Sequence, residues 1–152
     1  LSYYQTLEAA GAEVLNFKEF GSYQGTWLAF VMHKGEIGIV EGSYGSCSGC
    51  DSFKAEFSYS SKPEEIDGKF YKDGMTWDED SECTKEEYDE AMERYNERFA
   101  EFGRGYLESN GQPCLYSKSH YENKLAELDK DDWLDSEEAE YCKWAIDQNW
   151  DN

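Results

Sequence analysis

Cations are scarce in this sequence. Its 152 residues carry 14 Lys and Arg against 34 Asp and Glu, a formal net charge of −20. Phosphate contacts are made chiefly by Lys and Arg, so direct binding to nucleic acid and adhesion to an anionic membrane are both disfavoured. Histidine is rarer still: His33 and His120 stand alone and far apart, and no Ser/His/Asp or Cys/His triad can be read from them. No apolar run approaches 18 residues, and no signal-peptide pattern opens the chain. The expectation is a cytoplasmic chain with reduced thiols and no membrane span, although Leu1 in place of an initiator Met leaves room for a trimmed leader. Glycines 21, 25, 42, 45 and 49 form no phosphate-binding fingerprint. The acidic run 78–82 lacks the twelve-residue ligand order of a calcium loop. No constellation names a reaction, so the chain reads as a non-enzyme.

What is present begins with rings. The 8 Phe, 5 Trp and 12 Tyr can build a core, and a chain of this length reads as a single domain, 1–152. Disorder needs far fewer aromatics. Tyr3 to Ala10 reads as a short helix halted near Gly11. Val14, Leu15, Phe17 and Phe20 mark a strand, Trp27 to Met32 a second, and Ile37, Ile39 and Val40 a third after a hairpin at Lys34-Gly35-Glu36. Asp51 could cap a short helix reaching Phe57. Residues 58–83 are rich in turns, with a small hairpin expected about Lys72-Asp73-Gly74. Thr84-Lys85-Glu86-Glu87 has the form of a capping box. The helix it opens is expected to run to Phe102 and to end at Gly103 and Gly105. Gln112-Pro113 breaks the chain. A further helix carries Tyr121, Leu125 and Leu128, and a last one starts near Asp135-Ser136 with Ala139, Cys142, Ile146 and Trp150 on one side. The fold class is α+β: a small N-terminal antiparallel sheet with a thiol loop (1–60), then an acidic helical C-terminal half (84–150).

The thiol loop holds Cys47 and Cys50 in a Gly/Ser setting. A Cys-x-x-Cys pair can supply half of a zinc site or exchange a disulfide. No second pair exists, so a zinc ion held by Cys47 and Cys50 would need partners among Cys83, Cys114, His120, Cys142 and His33. The bland reading is that these cysteines are small buried residues in a tight turn, with no cofactor at all.

The acid is unevenly placed. Residues 1–60 have a net charge of −4 and residues 61–152 a net charge of −16. In the 84–106 helix, Tyr88, Met92, Tyr95, Phe99, Phe102 and Tyr106 form an apolar stripe. Glu86, Glu90, Glu93, Glu97 and Glu101 fall opposite it. Those five span roughly 22 Å at about 1.5 Å per residue, too sparse alone to match a duplex. A second tract could fill the gap: Glu127, Asp129, Asp131, Asp132, Asp135, Glu137, Glu138 and Glu140. An ordinary charge run is a solvated face. A concentration this large instead points to a basic, nucleic-acid-binding partner protein, with carboxylates taking the place of phosphates on its Arg and Lys. Two other readings stay open: a small zinc- or thiol-dependent protein centred on Cys47 and Cys50, and a plain protein-binding domain using Tyr23, Trp27 or Tyr44.

The run from Gly42 to Asp51, Gly-Ser-Tyr-Gly-Ser-Cys-Ser-Gly-Cys-Asp, followed by Phe53, resembles a segment of small bacteriophage and host proteins to which no activity is attached. The upstream Gly21-Ser22-Tyr23-Gln24-Gly25-x-Trp27 belongs to the same pattern. The resemblance covers about a quarter of the chain and none of its acidic half. It implies a host-cytoplasm setting, where small acidic inhibitors of DNA-targeting defence systems are a known type.

Overall fold

The computed structural model describes residues 3–45, 51, 53, 57, 62–72, 82–132 (the backbone alone at 132) and 136–151. Helix α1 (Tyr3–Ala9) leads into three antiparallel strands, β1 (Glu13–Gly21), β2 (Gly25–His33) and β3 (Glu36–Tyr44), with β2 in the middle. The central position explains the composition of β2. Buried on both faces, it is a continuous apolar run and does not alternate with polar residues. Trp27, Ala29 and Val31 face one side with Tyr3, Leu7 and Leu107, whereas Leu28 and Phe30 face the other with Tyr121, Cys142 and Ala145. A bulge between Val14 and Asn16 shifts the register of β1. It lets Val14 and Phe17, three apart, share the first face.

Three short strands follow: β4 (Glu64–Ile66), β5 (Lys69–Tyr71) and β6 (Glu82–Cys83), paired in that order. Helix α2 (Lys85–Leu107) comes next, then the two-residue strands β7 (Glu108–Ser109) and β8 (Gln112–Pro113), helix α3 (Lys118–Glu127), a 3-10 turn (Lys130–Asp132) and helix α4 (Glu137–Ile146). The N-terminal sheet followed by helices is the expected α+β order. Its layering is more specific: α1 and α2 cover one face of the sheet, α3 and α4 the other.

Several boundaries differ from the sequence reading. Helix α2 does not stop at Phe102; it runs through Gly103 and Gly105 to Leu107. Gly103 is there for contact and does not terminate the helix. A Cβ at this position would lie 1.9 Å from the carbonyl oxygen of Thr6, so its absence lets α1 and α2 cross closely. A hairpin between β4 and β5 turns at Asp67-Gly68; the one expected about Lys72-Asp73-Gly74 falls on residues 73–81, which lie outside the described residues. Gln112-Pro113 is not a plain break but the return strand of a hairpin turning at Asn110-Gly111. Both turns, like Lys34-Gly35, have positive φ at two successive residues, the geometry that favours Asn-Gly and Asp-Gly in two-residue hairpins.

Candidate functional site

The segments 21–27 and 42–45 are neighbours in the sheet. Gly25, Thr26 and Trp27 pair with Tyr44, Ser43 and Gly42. A Cβ on Gly42 would sit 2.6 Å from the Trp27 ring. Tyr44 donates its hydroxyl to the Phe20 carbonyl at 2.8 Å, tying the strand to the β1–β2 turn. Trp27 is fully buried and Tyr44 partly so. Of the three aromatics named as a docking set, Tyr23 alone is exposed, at 82 %.

Cys47 and Cys50 lie outside the described residues, but the base of their loop is described. Asp51 is 5 % exposed. Its carboxylate accepts the Tyr3 hydroxyl at 2.5 Å and the Gly45 N–H at 2.8 Å, so one buried acid ties the two ends of the loop together. The other zinc candidates do not gather. His33 Nε2 lies 2.9 Å from the Glu108 carboxylate. His120 stacks on Tyr116, Cys114 is exposed, and Cys142 is buried in the opposite core. Burial pushes the Cys142 thiol up to about 11, away from the thiolate that binds metal. Among the described residues, no group of three or more His, Cys, Asp or Glu is placed to hold a metal ion. Among them, too, no helix is long and apolar enough to cross a membrane.

Helix α2 is built as a two-sided element. Its capping box is complete: Thr84 Oγ1 accepts the Glu87 N–H, and Glu87 Oε1 accepts the Thr84 N–H, each at 3.1 Å. Lys72 also reaches Glu87 at 2.9 Å. Lys72 and the Thr84 amide together hold the Glu87 carboxyl below its usual value. Tyr95, Phe99, Gly103 and Leu107 are buried on the inner side. On the outer side Glu86, Glu90, Glu93, Glu97 and Glu101 are all exposed. Glu101 alone of the five has an ion-pair partner among the described residues, Arg104 one turn on. Arg104 falls in line with the row, a pairing that the same helical spacing could have shown.

Charge is not uniform along this face. Residues 85–93 carry Glu86, Glu87, Asp89, Glu90 and Glu93 against Lys85, whereas residues 94–107 carry Glu97 and Glu101 against Arg94, Arg98 and Arg104. The anionic part is the first half of the helix. The second half borders an open groove of about 500 Å³ lined by Arg94, Glu97, Arg98, Glu101 and Phe102.

The second acidic tract does not extend this surface. It belongs to α3, α4 and the segment joining them, on the far side of the sheet, so the two tracts do not merge into one face. Much of it also has local work. Asp129 accepts the Asp131 N–H at 3.1 Å, and Glu138 lies 3.8 Å from Lys124. Glu137, Glu138 and Glu140 occupy the first turn of α4 behind its Ser136 cap, where negative charge suits the helix dipole. Asp131 and Glu137 are exposed; the Asp132 side chain and all of Asp135 lie outside the described residues.

The class defined by this geometry is a mixed α+β chain whose central three-stranded sheet is covered by helices on both faces. Beyond that class, comparison of the chain with protein-family models, curated proteins and solved structures finds no match.

Proposed function

We propose that this chain is a non-enzymatic interaction module that lays the outer face of α2 on the basic, nucleic-acid-binding surface of a partner protein and so inhibits it. The observation that carries the reading is the exposure of Glu86, Glu90, Glu93, Glu97 and Glu101 on a helix whose other side is anchored in the core. Like charges at i,i+4 cost an isolated helix about 0.2–0.5 kcal/mol per pair, and no described cation offsets Glu90, Glu93 or Glu97 through an ion pair. A cationic partner would turn that cost into charge-assisted hydrogen bonds. The contact centres on residues 86–97, where the face is most negative. The tract at 127–140 is a separate surface. A bacteriophage anti-defence role in host cytoplasm is the biological form of this proposal, motivated by the 42–51 resemblance.

The test is capture from a bacterial lysate on the immobilised chain at low and high salt, with the triple variant Glu90→Lys, Glu93→Lys, Glu97→Lys alongside. Nucleic-acid-binding proteins should be held at low salt, be displaced by duplex DNA, and be lost from a variant whose circular dichroism is unchanged. Equal capture by the folded variant would refute the proposal.

A further inference from the structure

We propose that the outer edge of β3 at Glu41 and Ser43 accepts an extended partner segment of alternating basic and apolar residues, as an added strand. In an antiparallel ladder, alternate residues turn their N–H and C=O to the same side. Ile39 exchanges both groups with Tyr116, at 2.9 and 2.8 Å, on the edge away from β2. Glu41 and Ser43, two and four residues on, turn theirs the same way. Tyr116 does not extend to meet them, because the Cys114 N–H leaves the edge for the Leu107 carbonyl at 2.8 Å. Among the described residues no backbone partner takes the outward groups of Glu41 or Ser43.

The other edge of the sheet is protected. β1 is bulged, Asn16 Oδ1 accepts the Phe17 N–H at 2.9 Å, and Lys18 and Glu19 are exposed beside it. These are the usual devices against strand addition. The Glu41–Ser43 edge is neither bulged nor side-chain capped, its one charge is the acidic Glu41, and it opens onto a cavity of about 230 Å³ lined in part by Val40, Tyr106, Leu115 and Tyr116.

The two faces of this edge determine the occupant's chemistry. Side chains of an added strand alternate between faces. On one face they would meet Val40 and Tyr106, which suits apolar residues. On the other they would meet Glu41, whose Oε2 takes the Tyr121 hydroxyl at 2.8 Å and whose Oε1 remains available to a Lys or Arg. A second copy of the chain fits poorly. Each copy carries −20, and antiparallel pairing about these residues would bring the two Glu41 side chains towards each other.

The experiment titrates isotope-labelled full chain with acetyl-(Lys-Val)₃-amide and follows its amide resonances. The Glu41 and Ser43 amides should shift and exchange with solvent about tenfold more slowly. Alternate N-methylation of the peptide should weaken binding about tenfold, because main-chain hydrogen bonds carry this mode; acetyl-(Glu-Val)₃-amide should not bind. Ser43→Pro removes an outward N–H while leaving the Gly42 and Tyr44 bonds to β2, so it should bind weakly at an unchanged unfolding midpoint. Should that variant not fold, the N-methylated peptide decides alone. The Glu90, Glu93, Glu97 triple variant should bind the peptide as the parent does, which separates this site from α2. No shift at millimolar peptide, equal affinity for the N-methylated form, or shifts spread over α2 with Glu41 and Ser43 unmoved would overturn the proposal. So would dimerisation through this edge, seen by sedimentation.

Discussion

The two faces of the central sheet are held by different means. On the α1/α2 side the ties are rings: Trp27 lies between Tyr3 and Phe17, at 5.0 and 5.7 Å, with Tyr106 edge-on at 5.1 Å. The ring contacts continue outward through Phe53, Phe57, Phe99 and Phe102. On the α3/α4 side rings pack as well, Phe20 on Tyr141 and Trp144 and Phe30 on Trp150, but polar groups join them: Tyr121 binds Glu41, Lys124 binds Tyr141 at 3.1 Å, and Asn16 binds Gln148 at 3.0 Å. A helix positioned by rings on its inner side leaves four of its five outer glutamates without an ion-pair partner among the described residues, Glu101 with Arg104 being the exception. The α3/α4 pair spends part of its charge internally. The contrast is why α2, and not the longer acidic tract, is the stronger interaction candidate.

The largest expected effect breaks the ring-held side. Trp27→Ala should cost about 3–5 kcal/mol, as large aromatic truncations in a core do. Tyr121→Phe, its counterpart on the polar side, removes one hydroxyl from a charged acceptor and should cost about 1.5–3 kcal/mol. Urea unfolding midpoints at a common m-value compare them directly. Equal losses would mean that the two faces do not differ in the way described.

A smaller pair of changes sharpens the account of α2. Gly103→Ala drives a methyl into the Thr6 carbonyl, which belongs to backbone, so it should cost about 1–3 kcal/mol. Gly105→Ala, two residues on in the same helix, meets nothing within 4 Å and should stabilise the chain by about 0.4–1 kcal/mol. Opposite signs from thermal unfolding of the two variants would support a helix packed closely at one glycine and open at the next. The same sign for both would overturn it.

Much of the architecture was legible in local patterns. Period-two and period-3.6 hydrophobicity placed the three strands of the sheet and the inward stripe of α2, and the Thr84 capping box marked where that helix begins. The exposure of the five glutamates followed from the same periodicity. What the sequence did not reveal depends on contacts between distant residues. Gly103 and Gly105 look like stop signals until α1 is seen to cross at the first of them. Trp27 looks like a candidate docking aromatic until β2 is known to be covered on both faces. The Asn110-Gly111 and Asp67-Gly68 turns were readable as hairpin dipeptides and were passed over. No local pattern shows that 108–116 carries the chain around the sheet edge, which sends the two acidic tracts to opposite sides. The edge at Glu41 and Ser43, without a backbone partner among the described residues, was equally hidden, since it depends on Tyr116 making one bridge and Cys114 turning away.

The smallest expected effect concerns the crossover that joins the two faces. Glu108 sits at its start, 2.8 Å from Lys34 and 2.9 Å from His33, and Lys34 also donates to the Gly111 carbonyl at 3.2 Å. Hydrogen bonds from Lys34, then from His33, hold the Glu108 carboxyl below its usual value. A carboxyl depressed on folding contributes stability that is fully present above its unfolded pKa of about 4.3 and is lost as pH falls through the folded value. Glu87, held low by Lys72 and the Thr84 amide, acts in the same direction. The thermal midpoint should therefore fall as pH drops below about 4. Lys34→Met should lower the midpoint at neutral pH and flatten the acid fall. A variant with the parent's full acid fall would show that the Glu108 clasp does not contribute to holding the two faces together.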